Sequence, residues 1–152
     1  MKVLDFLEVD CVELDVKSQT KKEAISELSH LLEKCGKISD PQAVLESLME
    51  REKLGSTGIG QGVAIPHAKN ENVGKLVAAL GISKKGVQFD ALDGEPVNLI
   101  FVLIAPPDSS GLHLKALARI SRLLKDKFFR QALREAKSID EVQKIIQEED
   151  DY

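Results

Sequence analysis

The sequence is poor in features that mark specialised protein classes. Among its 152 residues there is no tryptophan, one tyrosine and no hydrophobic run of membrane-spanning length. The longest apolar stretch, residues 97–105, contains Asn98 and is closed by Pro106 and Pro107, so it is too short to cross a bilayer. The first residues lack the basic-then-apolar layout of a signal peptide. We therefore expect a soluble protein with no direct membrane insertion.

An excess of positive charge is also absent. The chain has 21 lysines and arginines against 25 aspartates and glutamates, a formal net charge of −4. A nucleic-acid-binding protein needs a basic surface, so we expect no nucleic acid partner. A length of 152 residues suffices for one core, and we interpret residues 1–152 as a single domain. The acidic residues 148–151 are interpreted as a frayed, solvated end.

The two cysteines, Cys11 and Cys35, are far apart and lack the CxxC spacing of a metal site. Cys35 ends an apolar helical stripe, which favours a buried free thiol. A reduced, cytoplasmic location fits this interpretation.

Helix signals and strand signals alternate along the chain. Residues 20–23 form a capping box, and Asp40-Pro41 is an N-cap followed by proline at the first helical position. Further helical patterns start at Ser110 and Ser138. Short apolar runs at 76–82 and 97–104 predict buried strands, with weaker candidates at 11–16 and 87–89. The pattern predicts an α/β domain with helices covering a sheet; it does not specify the strand order.

Residues 55–70 read GSTGIGQGVAIPHAKN and lead a glycine-rich path to one histidine, His67. A P-loop is excluded because no glycine precedes a Lys-Ser/Thr pair. A dinucleotide fingerprint fails because Ala64 stands where a third glycine is needed, and because a helix precedes the segment. A metal site is weakly supported: His67 and His113 lack a spaced ligand motif, and Glu50, Glu52 and Glu71 are interpreted as ordinary surface residues.

A nucleophilic histidine fits these residues better. A neutral imidazole nitrogen can attack phosphorus. Glycine lets backbone N–H groups approach a phosphoryl group, Ser56 and Thr57 add hydroxyls, and Arg51 adds a positive charge. His113 starts an apolar stripe at a helix N-terminus, just after a predicted strand. Purely structural roles remain possible for the same residues. The histidines could be solvated or core residues, the glycine-rich segment could be a helix stop and turn, and Arg51 could lie over an apolar face.

Three segments resemble the fructose/mannitol-type (type 2) enzyme IIA domain of the phosphoenolpyruvate-dependent sugar phosphotransferase system. They are REKLGSTGIGQGVAIPHAK at 51–69, FDALDGEPV at 89–97, and the Pro-Pro-Asp at 106–108 that leads to His113. The resemblance covers nearly the whole chain and implies a mixed sheet flanked by helices. It also implies a phosphotransferase with a phosphohistidine intermediate.

The resemblance assigns a role to each candidate residue. It implies that His67 is phosphorylated, that His113 and Arg51 stabilise the phosphoryl group, and that Thr57 donates a hydroxyl. From the residues themselves we expect Ser56, Gly58 and Gly60 to form the phosphoryl-binding loop, and we expect no cofactor and no metal because the cationic and N–H donors already fill that role. The donor would be the histidine-containing phosphocarrier protein and the acceptor a cysteine of enzyme IIB. Two roles stay open: fructose-type sugar uptake, and regulation by a nitrogen-related IIA protein through its phosphorylation state.

Overall fold

The computed structural model describes residues 1–151, except for the side chain of Ser110. Within that part of the chain a six-stranded sheet is flanked by five α-helices. The sheet has both parallel and antiparallel pairs, so the predicted α/β fold with a mixed sheet is confirmed. No helix of the described chain has both the length and the apolar character that a membrane crossing requires.

The elements are numbered in chain order. The helices are α1 (Lys21–Lys34), α2 (Pro41–Glu52), α3 (Ser110–Leu123), α4 (Lys127–Glu135) and α5 (Ile139–Asp150). The strands are β1 (Val12–Glu13), β2 (Gly58–Gly60), β3 (Val63–Ala64), β4 (His67–Lys69), β5 (Val77–Val87) and β6 (Val97–Ala105). Two short 3₁₀ turns, Val3–Asp5 and Val9–Cys11, precede β1.

Local capping chemistry explains where the helices begin. The Asp40 carboxylate accepts a hydrogen bond from the Ala43 amide at 3.1 Å, and the Ser138 hydroxyl accepts one from the Glu141 amide at 3.1 Å. Each bond satisfies a backbone donor that the first helical turn leaves unpaired. The predicted capping box at 20–23 differs, because the Thr20 hydroxyl donates to the Glu23 carboxylate at 2.7 Å. These helix starts are confirmed.

The long β5–β6 hairpin is the centre of the sheet. The strand order is β1-β5-β6-β3-β2, and β4 also pairs with β6. β3 and β4 both run parallel to β6, one after the other along its length. Nearly every residue of β6 is buried, which explains its continuous apolar run. The carboxyl end of β6 therefore carries β4 at its side.

Two weaker strand predictions need correction. The run at 11–16 supplies only the two-residue strand β1. No separate strand forms at 87–89: Val87 ends β5, and Gln88 makes an isolated bridge to Thr20. Both runs are short, and the pairing available in the sheet decides how far they extend.

The prediction of a free thiol at Cys35 is wrong. Cys11 and Cys35 form a disulfide with their Cα atoms 6.0 Å apart. The bond joins the turn before β1 to the residue that ends α1. The chain returns to Cys11 because α1 packs against β5, the neighbour of β1. Separation in the sequence gave no sign of this proximity.

The interpretation of residues 148–151 as a frayed end is also wrong for Asp150, which is 3% exposed. Its carboxylate accepts hydrogen bonds from the Val3 amide and from the Arg119 guanidinium, each at 2.6 Å. A buried carboxylate needs such partners. The end of α5 is therefore fastened to the N-terminal segment.

Candidate functional site

His67 lies at the carboxyl end of the central strand β6. It opens β4 and stands opposite Leu103 in the parallel pairing with β6. The carbonyl of Pro66, the residue before it, accepts a hydrogen bond from the Leu103 amide at 2.9 Å. The backbone on which the imidazole stands is therefore part of the sheet and not of a mobile loop.

The orientation of the His67 ring is set by a backbone carbonyl. Its Nδ1 atom lies 2.7 Å from the carbonyl oxygen of Ile65. A carbonyl oxygen only accepts hydrogen bonds, so the neutral ring carries its proton on Nδ1 and its lone pair on Nε2. The structure thus directs one nitrogen to the backbone and leaves the other for chemistry.

His113 lies beside His67 with an unpaired nitrogen. The two ring centroids are 5.5 Å apart and the rings meet edge to face at 71°. Only 7% of His113 is exposed, and its Nε2 atom has no hydrogen-bond partner among the described residues. An unpaired buried polar atom costs about 1–3 kcal/mol. Such an atom beside a free Nε2 lone pair indicates a place for a ligand with acceptor oxygens.

Burial lowers the pKa of both imidazoles. For His67 burial is the largest cause; the Arg51 charge lowers the pKa further, while the Ile65 carbonyl and Glu52 oppose the shift. For His113 burial again comes first, followed by the charges of His67 and Lys69. Both rings are therefore neutral near pH 7, the form in which a histidine nitrogen is nucleophilic.

Arg51 reaches the site from the last turn of α2. Its guanidinium Nη1 donates to the carbonyl oxygen of Gly55 at 2.9 Å. This bond holds the side chain across the end of the helix, where its charge acts on the pKa of His67. Arg51 is only partly buried, so its remaining N–H groups can serve an anion.

The glycine-rich segment is a hairpin of the sheet, formed by β2 and β3 in antiparallel pairing. The Ser56 hydroxyl accepts a hydrogen bond from the Gly58 amide at 3.0 Å and donates to the Phe89 carbonyl at 3.2 Å. A Cβ atom at Gly58 would lie 2.9 Å from the Cα and Cβ atoms of Ala91. Glycine is thus required at position 58 by a close approach of two backbone segments. Gly60, which has a φ of +100°, ends β2.

Thr57 is held by a carboxylate that the sequence interpretation missed. Glu52 accepts hydrogen bonds from both the amide and the hydroxyl of Thr57. Glu52 is 7% exposed, and the Nζ atom of Lys21 lies 3.0 Å from its Oε1. The interpretation of Glu52 as an ordinary surface residue is therefore wrong. Its position four residues after Leu48 on the buried stripe of α2 was the available signal.

The bond to Glu52 uses the hydroxyl hydrogen of Thr57, because an ionised carboxylate only accepts. In this structure Thr57 therefore links the glycine-rich segment to α2. Its predicted role as a hydroxyl donor to a phosphoryl group stays a prediction.

The sequence of the chain matches a known protein family. Residues 5–149 match the family described as "Phosphoenolpyruvate-dependent sugar phosphotransferase system, EIIA 2". The chain belongs to this family. The resemblance recorded from the sequence is thereby confirmed.

Curated relatives include fructose-specific phosphotransferase components and nitrogen regulatory proteins. The chain is 41% identical over 150 residues to the fructose-specific EIIABC component of Bacillus subtilis, covering 99% of this chain and 24% of that protein. It thus spans about a quarter of that relative's length. It is 37% identical to the nitrogen regulatory protein of Escherichia coli, covering 96% of this chain and 90% of that one.

Similar solved structures include a nitrogen regulatory protein and a mannitol-type IIA. A crystal structure of the nitrogen regulatory protein IIA-Ntr from Neisseria meningitidis has a TM-score of 0.86 and 38% identity, covering 93% of this chain and 97% of that one. Mannitol IIA, in a complex with phosphorylated mannitol IIB of Escherichia coli, has a TM-score of 0.78 and 25% identity. There the match covers 91% of this chain and 95% of that one.

Proposed function

We propose that the protein is a phosphotransferase whose His67 accepts a phosphoryl group on Nε2. The donor is the phosphohistidine of the histidine-containing phosphocarrier protein. The observation that carries the proposal is the edge-to-face contact of the two rings: Nδ1 of His67 is bonded to a carbonyl, which leaves its Nε2 free, and the buried Nε2 of His113 has no partner among the described residues. A phosphoryl group on the first nitrogen would bring acceptor oxygens to the second.

Phosphoryl transfer between the two histidine rings needs no additional reactant. The Nε2 lone pair of His67 attacks phosphorus, and the bond from phosphorus to the donor's ring nitrogen breaks. The electron pair of that bond stays on the donor ring, which leaves as neutral imidazole. The His67 Nδ1–H remains bonded to the Ile65 carbonyl throughout, so the ring gains positive charge beside a phosphoryl dianion.

The surrounding groups stabilise charge on the phosphoryl oxygens. His113 in the tautomer protonated at Nε2 donates one hydrogen bond, and the Arg51 guanidinium adds a fixed positive charge. Ser56 and Gly58 support the start of the β2–β3 hairpin, whereas Gly60 lies at its turn, beside Asp93. Because these groups supply the required donors and charge, we propose that transfer proceeds without a metal ion or cofactor. Excess chelator would then leave the transfer rate unchanged.

Several leucine and isoleucine side chains that neighbour the predicted site residues in the sequence are exposed. Leu54 follows α2 and is 84% exposed, and Ile59 in β2 is 51% exposed. On either side of His113, Leu112 and Leu114 are also exposed. We propose that the surface carrying these four side chains binds the donor protein and then the acceptor protein. Such interfaces are small and transient, because one face serves both partners.

The acceptor decides the biological role. We propose a cysteine of a fructose-type enzyme IIB in sugar uptake, supported by the similarity to the fructose-specific component of Bacillus subtilis. The second candidate is a regulatory protein whose phosphorylation state controls binding to other proteins. Similarity to nitrogen regulatory proteins over most of both chains favours it. We propose a cytoplasmic location for either role from the family alone, because the Cys11–Cys35 disulfide removes the free-thiol argument for a reducing compartment.

Incubation with phosphoenolpyruvate, enzyme I and the phosphocarrier protein tests the proposal. The protein should gain one acid-labile phosphoryl group, measured by intact mass. His67→Ala should gain none, whereas the control His30→Ala, altered at an exposed helix position, should gain it normally. Phosphorylation of His67→Ala would refute the assignment. Transfer to a panel of enzyme IIB proteins then separates the two roles.

A further inference from the structure

A second cleft lies at the opposite end of β6 from His67. It has a volume of about 510 Å³ and lies between α4, the β2–β3 turn and the loop before β6. At that turn the Gly62 carbonyl accepts hydrogen bonds from the amides of Asn98 and Leu99, at the start of β6. His67 stands five residues further along the chain, roughly 16 Å away if extended. A phosphoryl group on His67 therefore does not reach this cleft.

The cleft concentrates positive charge in a protein with a net charge of −4. Four cationic side chains line it against two carboxylates: Lys85, Lys127, Arg130 and Arg134 against Asp93 and Glu95. The ion pairs of the described chain involve other lysines and arginines. None of the four cations forms an ion pair among the described residues, and they outnumber the two carboxylates of the cleft, which favours an anionic ligand.

One wall of the cleft is held in place by backbone contacts. The Arg130 guanidinium donates to the carbonyls of Leu124 and Lys125 at 2.7 and 3.0 Å. The Nζ atom of Lys84 donates to the Arg134 carbonyl at 3.0 Å, which ties α4 to β5. These bonds fix α4 against the sheet, so the spacing of the cations on α4 does not depend on a ligand.

The opposite wall contains an unusual backbone conformation. Gln61 has a φ of 59°, uncommon for a residue other than glycine. Its amide donates to Oδ2 of Asp93 at 3.0 Å, and the Glu95 amide donates to Oδ1 of the same carboxylate at 3.0 Å. A Cβ atom at Gly62 would lie 3.1 Å from Oδ1 of Asn98 and 3.7 Å from Arg134. Glycine at 62 therefore keeps the floor of the cleft open.

We propose that this cleft binds a small phosphorylated metabolite that also carries hydroxyl groups. The phosphate would lie among Lys85, Lys127 and Arg134, and the hydroxyls would donate to Asp93 and Glu95. The volume falls within the range of small-molecule sites, about 300–1,000 Å³. The two carboxylates on one wall disfavour a long polyanion such as nucleic acid. The cleft is independent of the chemistry at His67.

Backbone amide NMR at constant ionic strength tests the proposal with three probes: a hexose monophosphate, inorganic phosphate and the unphosphorylated hexose. The hexose monophosphate should give saturable shifts confined to residues 61–62, 93–98 and 127–134. It should bind about tenfold or more tightly than inorganic phosphate, and the neutral hexose should not bind. Equal affinity for inorganic phosphate, or binding of the neutral hexose, would overturn the proposed ligand class.

Paired variants locate the binding. Lys127→Gln with Arg134→Gln should weaken hexose monophosphate binding by about tenfold or more. The control Arg122→Gln with Lys144→Gln removes the same charge at exposed positions outside the cleft and should leave the affinity within about twofold. Similar losses in both variants, or no shifts at all, would overturn the site. His67→Ala should bind normally, so this test is independent of the proposed phosphorylation.

Discussion

The rings of His67 and His113 form an edge-to-face pair, 5.5 Å between centroids, that joins the end of the sheet to the first turn of α3. Protonation of either ring disfavours protonation of the other, and the charge of His67 is one cause of the lowered pKa of His113. A phosphoryl dianion on His67 would reverse this, since it favours a proton on His113. The pair is thus suited to alternate between two states: both rings neutral without a phosphoryl group, and His67 phosphorylated with a proton favoured on His113.

Replacing His113 should slow phosphoryl transfer but keep the fold. His113→Ala removes a buried, unpartnered nitrogen that we propose donates to a phosphoryl oxygen. The expected loss is on the order of 10²-fold in the rate of phosphorylation of His67, as for other single donors to a developing charge. Rapid-quench measurement of phosphoryl transfer in both directions checks this. His30→Ala is the matched control, and rates equal to wild type in both directions would remove His113 from the site.

The lowered histidine pKa values predict a pH dependence of stability. In the unfolded chain both imidazoles titrate near the ordinary value of about 6.5, whereas the folded-state pKa values lie below it. Between these values the unfolded chain binds more protons, so its relative stability increases as the pH falls. The contribution to folding stability is complete above about pH 6.5 and is lost as the pH falls through the folded-state values.

Histidine NMR titration and denaturant unfolding at several pH values check this directly. The ring protons of His67 and His113 should titrate below the ordinary histidine value of about 6.5. His67→Ala should flatten the decline of unfolding free energy below about pH 6.5. A His67 resonance that titrates at or above the ordinary value would contradict the role of burial.

The Glu52 carboxylate should support both stability and transfer. Glu52→Gln weakens the bonds to Thr57 and leaves Lys21, whose side chain is 14% exposed, without its close ion partner. We expect a loss of about 1–3 kcal/mol in the free energy of unfolding. Slower transfer should accompany it, because the segment next to His67 loses its tie to α2.

Glu50→Gln is the control for that loss. Glu50 pairs with Lys53, but both side chains are about 70% exposed (70% and 71%), so the change should cost less than about 0.5 kcal/mol. Denaturant unfolding monitored by circular dichroism gives both values. Equal losses in the two variants would show that the buried pair has no special weight.

The parts of the fold predicted from the sequence are those set by local chemistry. Asp40 and Ser138 cap helices within three residues of their own position, and β6 is a continuous apolar run. The short strands β2, β3 and β4 exist only because they pair with one another or with β6. Two or three residues carry no readable periodicity, so this part of the sheet was not predictable.

In the candidate site, too, some residues were predictable from local sequence and others depended on the tertiary fold. His67 was selected from its own surroundings, but its proximity to His113 depends on the parallel pairing of β4 with β6. The residue pattern alone left other roles open for Arg51 and His113, and only the family resemblance assigned both of them to the site. The buried Glu52 was predictable from helical spacing, whereas the Cys11–Cys35 disulfide required the packing of α1 on the sheet.

Gly58→Ala should damage the site through its backbone. The added Cβ atom would lie 2.9 Å from the Cα and Cβ atoms of Ala91, a contact that requires one backbone segment to shift. We expect a loss of about 1–3 kcal/mol in unfolding free energy and a slower transfer rate. In the control Gly74→Ala, the added atom meets nothing within 4 Å, and the change should stay within about 0.5 kcal/mol. An unchanged unfolding free energy in Gly58→Ala would contradict the close approach of Gly58 to Ala91.

Reduction of the Cys11–Cys35 disulfide should destabilise the fold without altering the site. The bond closes a loop with a sequence separation of 24 residues, and a loop of that size corresponds to about 3.5 kcal/mol of unfolding free energy. Unfolding by guanidinium chloride with and without a reductant measures the loss. The double variant Cys11→Ser with Cys35→Ser should match the reduced protein and show no response to reductant.

Alkylation of two thiols in denatured protein that was never reduced would show that the bond does not form in the prepared protein. Phosphorylation of His67 should proceed in both states, because the disulfide lies at the end of α1, whereas Arg51 approaches His67 from α2.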